Sequence, residues 1–189
     1  MKQLKISIIM LLIFTLLTGL IYPVLVTGIG QVFFLEKING SLVYDYAAVK
    51  GSTLIGQKFE SLKFFHGRPS SVNYDASGSG GSNLGPSNKK LFEEVVNRAV
   101  QARKDFNIPD NAVIPADMLF ASASGLDPHI SFEAAMLQAP GIATVRGKDI
   151  SGIISLINSN CVRQYFFTGD RYVNVLMLNL ALEKGENNE

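Results

Sequence analysis

The sequence predicts an α+β domain behind one N-terminal transmembrane helix. Three observations favour this class: a long uncharged apolar run, several segments with apolar residues at helical spacing, and short segments that alternate like strands. We expect residues 1–35 to comprise a cytoplasmic N-terminus, a span at about 6–26 and a stalk. Residues 36–189 should form one extracytoplasmic domain, for which the chain is long enough.

The apolar run has no charged residue from Ile6 to Leu35. About 20 apolar residues in a helix cross the roughly 30 Å hydrocarbon core of a bilayer. A cleaved signal peptide would have a shorter apolar region and a clear small-residue cleavage site, and a lipoprotein signal would need a cysteine after the run. A membrane anchor therefore fits this segment best.

The charges around the run predict its orientation. Lys2 and Lys5 are the only charges before it, so the positive-inside rule places the N-terminus in the cytoplasm and the remainder outside. Pro23 should kink or end the helix near the far membrane interface.

Charge and cysteine content exclude other classes. Of 17 basic and 16 acidic residues, Lys2, Lys5 and Glu36 belong to the N-terminal segment, so the remainder is formally neutral and nucleic-acid binding is not expected. Cys161 is the single cysteine, which excludes an internal disulfide and a cysteine-based zinc site.

The middle of the chain predicts a long polar loop followed by a helix. Residues 64–87 are rich in Gly, Ser, Asn and Pro and have almost no apolar periodicity. Ser87 is the expected N-cap of the next helix. Glu94 and Arg98 should pair on its exposed side. Its apolar stripe consists of Leu91, Val95, Ala99, Ala102 and Phe106, widened by Phe92, Val96 and Val100.

The stretch SASGLDPHIS at 122–131 predicts the start of another helix. Asp127 followed by Pro128 matches an N-cap and first helical residue, and Ser131 is a second possible cap. This helix should end at about Gln138, before Pro140. A further helix is predicted at 150–162, whereas 171–182 fits either a strand or a helix.

The same stretch places Ser124, Asp127 and His129 within one loop. These are the residue types of a hydrolase triad, but known triads draw on separate segments so that each side chain can aim at the next. No Gly-x-Ser-x-Gly elbow is present either. A loop with a helix cap is therefore the favoured interpretation.

Two other kinds of site are weakly indicated. His66 and His129 lack the spacing of metal ligands on a helix face, although a weak hard-cation site of loop oxygens remains open. The glycine-rich run at 77–87 lacks the lysine of a phosphate-binding loop, because Pro86 follows Gly85. A solvated loop is favoured there, with an anion cradle at the following helix start as the alternative.

Several stretches behind one span together resemble the C subunits of the bacterial Kdp-type potassium-transporting P-type ATPases. Residues 80–88 and 122–131 are highly specific as a pair, and the resemblance covers essentially the whole chain. The stretches are 54–57 (LIGQ), 65–70 (FHGRPS), 80–88 (GGSNLGPSN), 122–131 (SASGLDPHIS), 173–176 (VNVL) and 178–182 (LNLAL).

The resemblance implies a non-catalytic accessory subunit of a high-affinity ATP-driven potassium uptake complex in a bacterial-type cell membrane. Its implied partners are a potassium-channel-like subunit, an ATP-hydrolysing P-type ATPase subunit and a small single-span subunit. ATP and potassium would be handled by the complex, and we expect no cofactor on this chain, which has no Asp-Lys-Thr-Gly phosphorylation motif.

The family is also described as a catalytic chaperone that raises the ATP affinity of the pump subunit. An external domain cannot touch cytoplasmic ATP, so such an effect would be indirect. The alternative is an anchored extracytoplasmic ligand-binding or hydrolase domain. Candidate partner-contact or structural residues are His66, Arg68, Pro69, Gly81, Asn83, Gly85, Ser124, Gly125, Asp127 and His129.

Overall fold

The computed structural model describes residues 1–45, 48–164 and 169–187. Its contacts divide the chain into two units, Met1–Leu42 and Val43–Glu189. The first unit is mainly helical, and the second combines helices with short strands. An apolar N-terminal helix followed by an α+β region confirms the predicted fold class.

The N-terminal helix is continuous over Lys2–Phe33, and its 32 residues make it long and apolar enough to cross a membrane. At about 1.5 Å per residue it measures roughly 48 Å. It consists of α1 (Lys2–Leu16), a π-helical turn (Leu17–Ile21) and α2 (Tyr22–Phe33), and α3 (Leu35–Ile38) follows it.

The prediction that Pro23 could end this helix is wrong, because α2 continues for ten residues beyond it to Phe33. Proline lacks the N–H that bonds to the preceding turn. The π-helical turn ends at Ile21, two residues before Pro23, and the Tyr22 N–H bonds to the Leu17 carbonyl there. A wider turn of this kind lets a helix pass a residue that breaks its regular bonding pattern.

Two small sheets contain the described strands. β1 (Leu42–Asp45) pairs with β2 (Ala48–Ser52). The second sheet has the order β3-β5-β4 and is antiparallel, with Ile130 opposite Val173 and Cys161 opposite the same valine. Its strands are β3 (His129–Ser131), β4 (Cys161–Arg163) and β5 (Arg171–Asn174).

Three longer helices pack against this sheet, and a fourth, α4 (Lys89–Phe106), packs against one of them. The three are α6 (Phe132–Arg146), α7 (Ile150–Asn160) and α8 (Val175–Asn187), and α5 (Ala116–Leu119) is a single short turn. α6 packs against both α4 and α7, and α7 packs against α8. The largest fully buried side chains are Phe65, Ile142, Ile157, Val173 and Leu178, together with the polar Gln138 and Asn179.

The start of α6 differs from the first expectation. Pro128 precedes a strand, and the helix begins at Phe132 with Ser131 as N-cap, whose Oγ accepts the Ala134 N–H at 3.0 Å. Asp127 is therefore no helix cap; its Oδ1 accepts the His129 N–H at 3.0 Å in a turn. Burial of Ile130 against Val173 favours the strand over an earlier helix start.

The expected end of α6 at Gln138 is also wrong, because the helix passes through Pro140 to Arg146. Ala139 and Ile142 on either side of the proline are fully buried. A Cβ on Gly141 would lie 2.5 Å from the Phe106 Cα, so α4 and α6 cross there at close range. This packing outweighs the local preference of proline for a helix end.

The start of α4 is capped one residue later than predicted. Asn88, not Ser87, is the N-cap, and its side chain accepts the Lys90 N–H. The Glu94–Arg98 pair is confirmed at 2.9 Å. Phe92, Val96 and Val100 do not widen the buried stripe, because all three are exposed.

Residues 53–88 contain neither helix nor strand, which confirms the long polar loop between β2 and α4. The stretch at 171–182, which fitted either a strand or a helix, contains one of each. Strand β5 ends at Asn174, and helix α8 begins at Val175. The Asn174 side chain accepts the Met177 N–H at 3.2 Å and so supports the first turn of α8.

Candidate functional site

Four loop segments that are separated in sequence meet in one place. The Gly56 N–H bonds to the Leu126 carbonyl at 2.8 Å, and the Gly80 N–H bonds to the Ser124 carbonyl at 2.8 Å. The Ser122 N–H bonds to the Pro69 carbonyl at 3.1 Å. We call this region, formed by residues 54–57, 66–70, 80–83 and 122–129, the loop junction. Backbone bonds between segments make it an ordered unit, in which only His129 belongs to a regular element, β3.

An ion pair joins two of these segments. The Arg68 Nη1 donates to the Asp127 Oδ2 at 3.0 Å, and both side chains are a little over one quarter exposed. The other carboxylate oxygen, Oδ1, accepts the His129 N–H and lies 3.6 Å from the His129 Nδ1. Burial raises the pKa of Asp127, but hydrogen bonds from His129 and Arg68 outweigh it and hold the pKa below its usual value. Asp127 is therefore ionised at neutral pH.

Two glycines allow the segments to approach this closely. Gly125 has a φ of +69°, and a Cβ there would lie 2.5 Å from the Val72 Cγ2 and 2.8 Å from the Gly80 carbonyl oxygen. A Cβ on Gly56 would lie 2.5 Å from the Asp127 carbonyl oxygen. Larger residues at these positions would force the segments apart.

The hydroxyl groups of the junction close turns. The Ser124 Oγ accepts the Leu126 N–H at 3.1 Å, and the Ser70 Oγ donates to the Gly125 carbonyl at 2.7 Å. The ring of His129 meets Tyr172 edge to face at 5.0 Å. In these contacts Ser124 shapes the loop, and Asp127 bonds to Arg68 as well as to His129.

Two buried amides hold the segment that enters the junction. Gln138 accepts the His66 N–H at 2.8 Å and donates to the His66 carbonyl at 3.2 Å. Asn179 makes the same two bonds with Phe65, at 2.8 and 3.0 Å. Both amides are at most 2% exposed. Each bonds to the N–H and the C=O of one loop residue, as a neighbouring β-strand would.

The sequence interpretation missed these two amides. Both lie on helices whose neighbouring residues are apolar, and a polar residue at a core-facing position is the signal that would have found them. The N–H and C=O groups of Phe65 and His66 are polar, and in the interior they need hydrogen-bond partners such as these side-chain amides.

The His66 ring itself is packed against α4. It meets the Phe106 ring edge to face at 5.1 Å, and its Nε2 lies 3.3 Å from the Ser61 carbonyl oxygen. Burial is the main influence on this ring and lowers the pKa of His66, although Ser61 and Asp105 act in the opposite direction. His66 is therefore neutral at pH 7.

A tyrosine hydroxyl bonds to the backbone of Arg68. The Tyr74 hydroxyl donates to the Arg68 carbonyl, and burial together with the charge of Asp127 raises the pKa of Tyr74 to about 12. The phenol therefore stays protonated and remains a donor throughout the physiological pH range.

Two cavities flank Arg68. The first, of about 310 Å³, is lined by His66, Tyr74, Arg98 and Phe106 among others. The second, of about 500 Å³, is lined by Asp127, His129, Arg171 and Tyr172 among others. The two histidines thus face different cavities. Within the described residues no group of three or more His, Cys, Asp or Glu side chains is arranged to hold a metal ion.

The junction brings together most of the residues that the sequence singled out. Arg68, Pro69, Ser124, Gly125, Asp127 and His129 lie within it, and a Cβ on Gly81 would lie 3.0 Å from the Ala123 carbonyl oxygen. Asn83 is the last residue of the 80–83 segment, and Gly85 lies just beyond it on the way to α4. Asn83 has a φ of +53°, and the Gly85 carbonyl accepts the Asn88 N–H just before α4.

Comparison with known proteins places this chain in a family. Residues 4–184 match the family KdpC, described as the c chain of the K⁺-transporting ATPase. The potassium-transporting ATPase KdpC subunit of Mycobacterium tuberculosis strain H37Rv is 47% identical over 186 residues, which is 97% of this chain and 98% of that protein.

The corresponding subunits of two other bacteria are similarly close. The Geobacter sulfurreducens protein is 48% identical over 188 residues, covering 97% of this chain and 98% of that protein. The Rhodospirillum rubrum protein is 43% identical over 187 residues, covering 97% and 96%. With matches that span nearly the whole length, the chain belongs to the KdpC family of K⁺-transporting ATPase subunits.

Proposed function

We propose that this chain is a non-catalytic accessory subunit of a high-affinity, ATP-driven potassium uptake complex, which it assembles and stabilises. The family match over residues 4–184 is the observation that carries this proposal. The apolar N-terminal helix and the hydrogen-bonded loop junction support it, because a subunit that holds other membrane subunits together needs a membrane anchor and a preorganised contact surface.

The proposed partners are a potassium-channel-like subunit, an ATP-hydrolysing P-type ATPase subunit and a small single-span subunit. Hydrolysis would occur on a partner. The contacts of the loop junction agree with a non-catalytic role for this chain. Ser124 closes a turn with Leu126, and Asp127 forms an ion pair with Arg68, so neither is set up to activate a nucleophile.

The proposed topology places the N-terminus in the cytoplasm and the unit Val43–Glu189 outside the cell membrane. Lys2 and Lys5 before the apolar helix support this orientation. In this position the outer unit would cap the channel-like subunit and influence the access of potassium. Any increase in ATP affinity of the pump subunit would travel through the partners as a coupling between distant sites.

Cysteine labelling tests the topology. Cys161 would first be replaced by alanine, and Val113, which is 89% exposed, would then be changed to cysteine. A membrane-impermeant maleimide should label Val113→Cys in intact cells but label Gln3→Cys only after the cells are opened. The reverse pattern would contradict the topology and would make direct contact with cytoplasmic ATP possible.

Deletion tests the accessory role. Without this chain, the remaining subunits should no longer purify together, and uptake at low external potassium should be lost. Complexes carrying Ser124→Ala or His129→Gln should keep ATP turnover. Loss of turnover in complexes that still assemble would instead favour a catalytic or ligand-binding role for the outer unit.

A further inference from the structure

Arg68 uses only part of its hydrogen-bonding capacity. Its Nη1 donates to Asp127, whereas its Nε is buried and has no hydrogen-bond partner within the described residues. Nε and Nη2 lie on the same edge of the planar guanidinium, and the two parallel N–H groups of such an edge match the two oxygens of a carboxylate. Buried donors without a partner are rare in folded proteins, so this edge is a candidate for binding an oxyanion.

The charges of the two cavities that flank Arg68 differ. Histidines apart, the second cavity is lined by four acidic and two basic side chains, which are Asp117, Asp127, Glu133, Asp170, Arg68 and Arg171. The first is lined by three basic side chains and one acidic side chain, which are Lys58, Arg68, Arg98 and Asp105. Because opposite charges attract, an anion favours the first cavity.

The acids that pair with these three basic side chains lie outside the lining of the first cavity. The pairs are Lys58 with Glu60 at 2.6 Å, Arg68 with Asp127 at 3.0 Å and Arg98 with Glu94 at 2.9 Å. These pairs weaken the positive potential of the cavity but place no carboxylate within it. Asp105 is in the lining, and its Oδ1 accepts a hydrogen bond from Gln101 at 2.7 Å.

The rest of the lining limits the size and the charge of a ligand. Phe59, Phe106 and Met118 give the cavity an apolar part. Its volume of about 310 Å³ is at the lower end of the range for ligand cavities. Because the removal of charge from water is costly, a small and partly apolar cavity favours one negative charge over two. These properties together indicate a small monocarboxylate with a short apolar chain.

The wall beside Arg68 is held in one conformation. Asn73 and Tyr74 both line the first cavity and have positive φ values of 52° and 60°. A left-handed conformation is unfavourable for tyrosine and persists where contacts hold it. Here the Ser70 Oγ accepts the Tyr74 N–H at 2.9 Å, and the Tyr74 hydroxyl donates to the Arg68 carbonyl. The backbone of Arg68 is thus in place before any ligand binds.

We propose that the first cavity binds a small organic monocarboxylate, whose carboxylate pairs with the Nε–Nη2 edge of Arg68 and whose apolar chain lies against Phe59 and Phe106. Because Nε is buried, the guanidinium must rotate slightly toward the ligand. The acid would bind to the outer unit itself. The inference therefore goes beyond the proposed accessory role, and it does not depend on the complex.

Nuclear magnetic resonance of arginine side chains tests the site directly. In the full chain in detergent, isotopically labelled arginine gives an Nε–H signal for each arginine, and Arg68→Lys identifies the signal of Arg68 by its loss. Butyrate is the probe, and butyramide, which has a similar size but no charge, is its control.

Butyrate should move the Arg68 signal in a saturable way, and butyramide should leave the signal in place. Chloride keeps the ionic strength constant, so that general screening does not contribute. A signal that stays in place throughout the butyrate titration, or that moves equally with butyramide, would overturn the inference.

Variants of the lining test the site without changing Arg68. Asp105→Asn removes the acid of the lining and should lower the dissociation constant for butyrate about threefold, whereas Lys58→Gln should raise it about threefold. Asp110→Asn and Lys104→Gln are the matched controls, because these two side chains do not line the cavity. Equal dissociation constants in all four variants would contradict the inference, since they would place the bound butyrate elsewhere.

The urea unfolding midpoint is an independent readout, because a ligand that binds only the folded chain stabilises it. Butyrate should raise the midpoint of the parent chain above its value in butyramide at the same concentration. The increase should be smaller for Lys58→Gln. Equal midpoints of the parent chain in butyrate and butyramide would argue against a carboxylate site.

Discussion

The Arg68 guanidinium meets the Asp127 carboxylate at 3.0 Å across 59 residues of chain. This ion pair connects the segment that contains His66 and Pro69 with the segment that contains Ser124 and His129. A loop region of this length is stable in one arrangement only when contacts between its distant parts offset the entropy of ordering it.

Removal of either partner should therefore destabilise the outer unit. For Arg68→Ala and for Asp127→Ala we expect a loss of about 1–2 kcal/mol in the free energy of unfolding, because the pair is partly exposed. Urea unfolding of the full chain in detergent measures this loss. Asp110→Ala, at an exposed loop aspartate, should change it by less than about 0.5 kcal/mol.

A double-mutant cycle separates the ion pair from other effects. The two substitutions together should destabilise by less than the sum of the single losses, with a coupling of about 0.5–1 kcal/mol. Strictly additive losses would show that the 3.0 Å contact contributes nothing by itself.

The close approach at Gly125 leads to a second prediction. Gly125→Ala should destabilise by about 2–3 kcal/mol, because the new methyl group meets Val72 and the residue must keep a positive φ. Gly78→Ala is the matched control, since no atom lies within 4 Å of its Cβ position. Equal unfolding midpoints for the two variants would contradict the described junction.

The buried amides lead to a third prediction. Gln138→Ala or Asn179→Ala leaves one N–H and one C=O of the loop backbone without a partner, and each variant should lose about 2–4 kcal/mol. Gln101→Ala, which removes an exposed amide, should have little effect. Faster hydrogen exchange at the Phe65 and His66 amides would show that the loop backbone has lost its partners. Unchanged exchange would argue that the two buried amides do not hold it.

Protonation of His66 leads to a fourth prediction. Burial lowers the pKa of His66 in the folded chain below its ordinary value near 6.5. Below that pH the unfolded chain binds a proton that the folded chain resists, so stability is complete above about pH 6.5 and falls as the pH decreases from there. Asp127, whose pKa is lowered from a value near 3.8, contributes to acid loss only at lower pH.

Urea midpoints at pH 7.5 and pH 5 measure this effect. The parent chain should be less stable at pH 5, and His66→Gln should show a smaller difference between the two conditions. An identical pH dependence in both proteins would show that His66 is not the group responsible.

Long periodic segments were well predicted from the sequence, and proline-containing boundaries were not. The apolar helix, α4 and the polar loop before α4 follow from local pattern. Pro128 and Pro140 misled the prediction of α6, because burial of Ile130 favours a strand and close packing at Gly141 carries the helix past Pro140. Both causes involve residues far away in sequence.

In the candidate site, too, local sequence identified some residues, but the contacts between distant segments could not be predicted. Arg68, Gly125 and Asp127 stood out in the sequence through their motifs, but the pairing of Arg68 with Asp127 depends on how the loops meet. Gln138 and Asn179 were missed because each lies in a helix beside apolar residues. Only the fold shows that their side chains hold the backbone of another segment.

Potassium uptake by cells that lack this chain is the most direct test of the proposed role. At low external potassium, deletion should abolish uptake, and the channel-like and ATP-hydrolysing subunits should separate during purification. The intact gene should restore both properties, and Gly78→Ala should restore them equally well. Normal assembly and normal uptake without the chain would contradict its role as an accessory subunit.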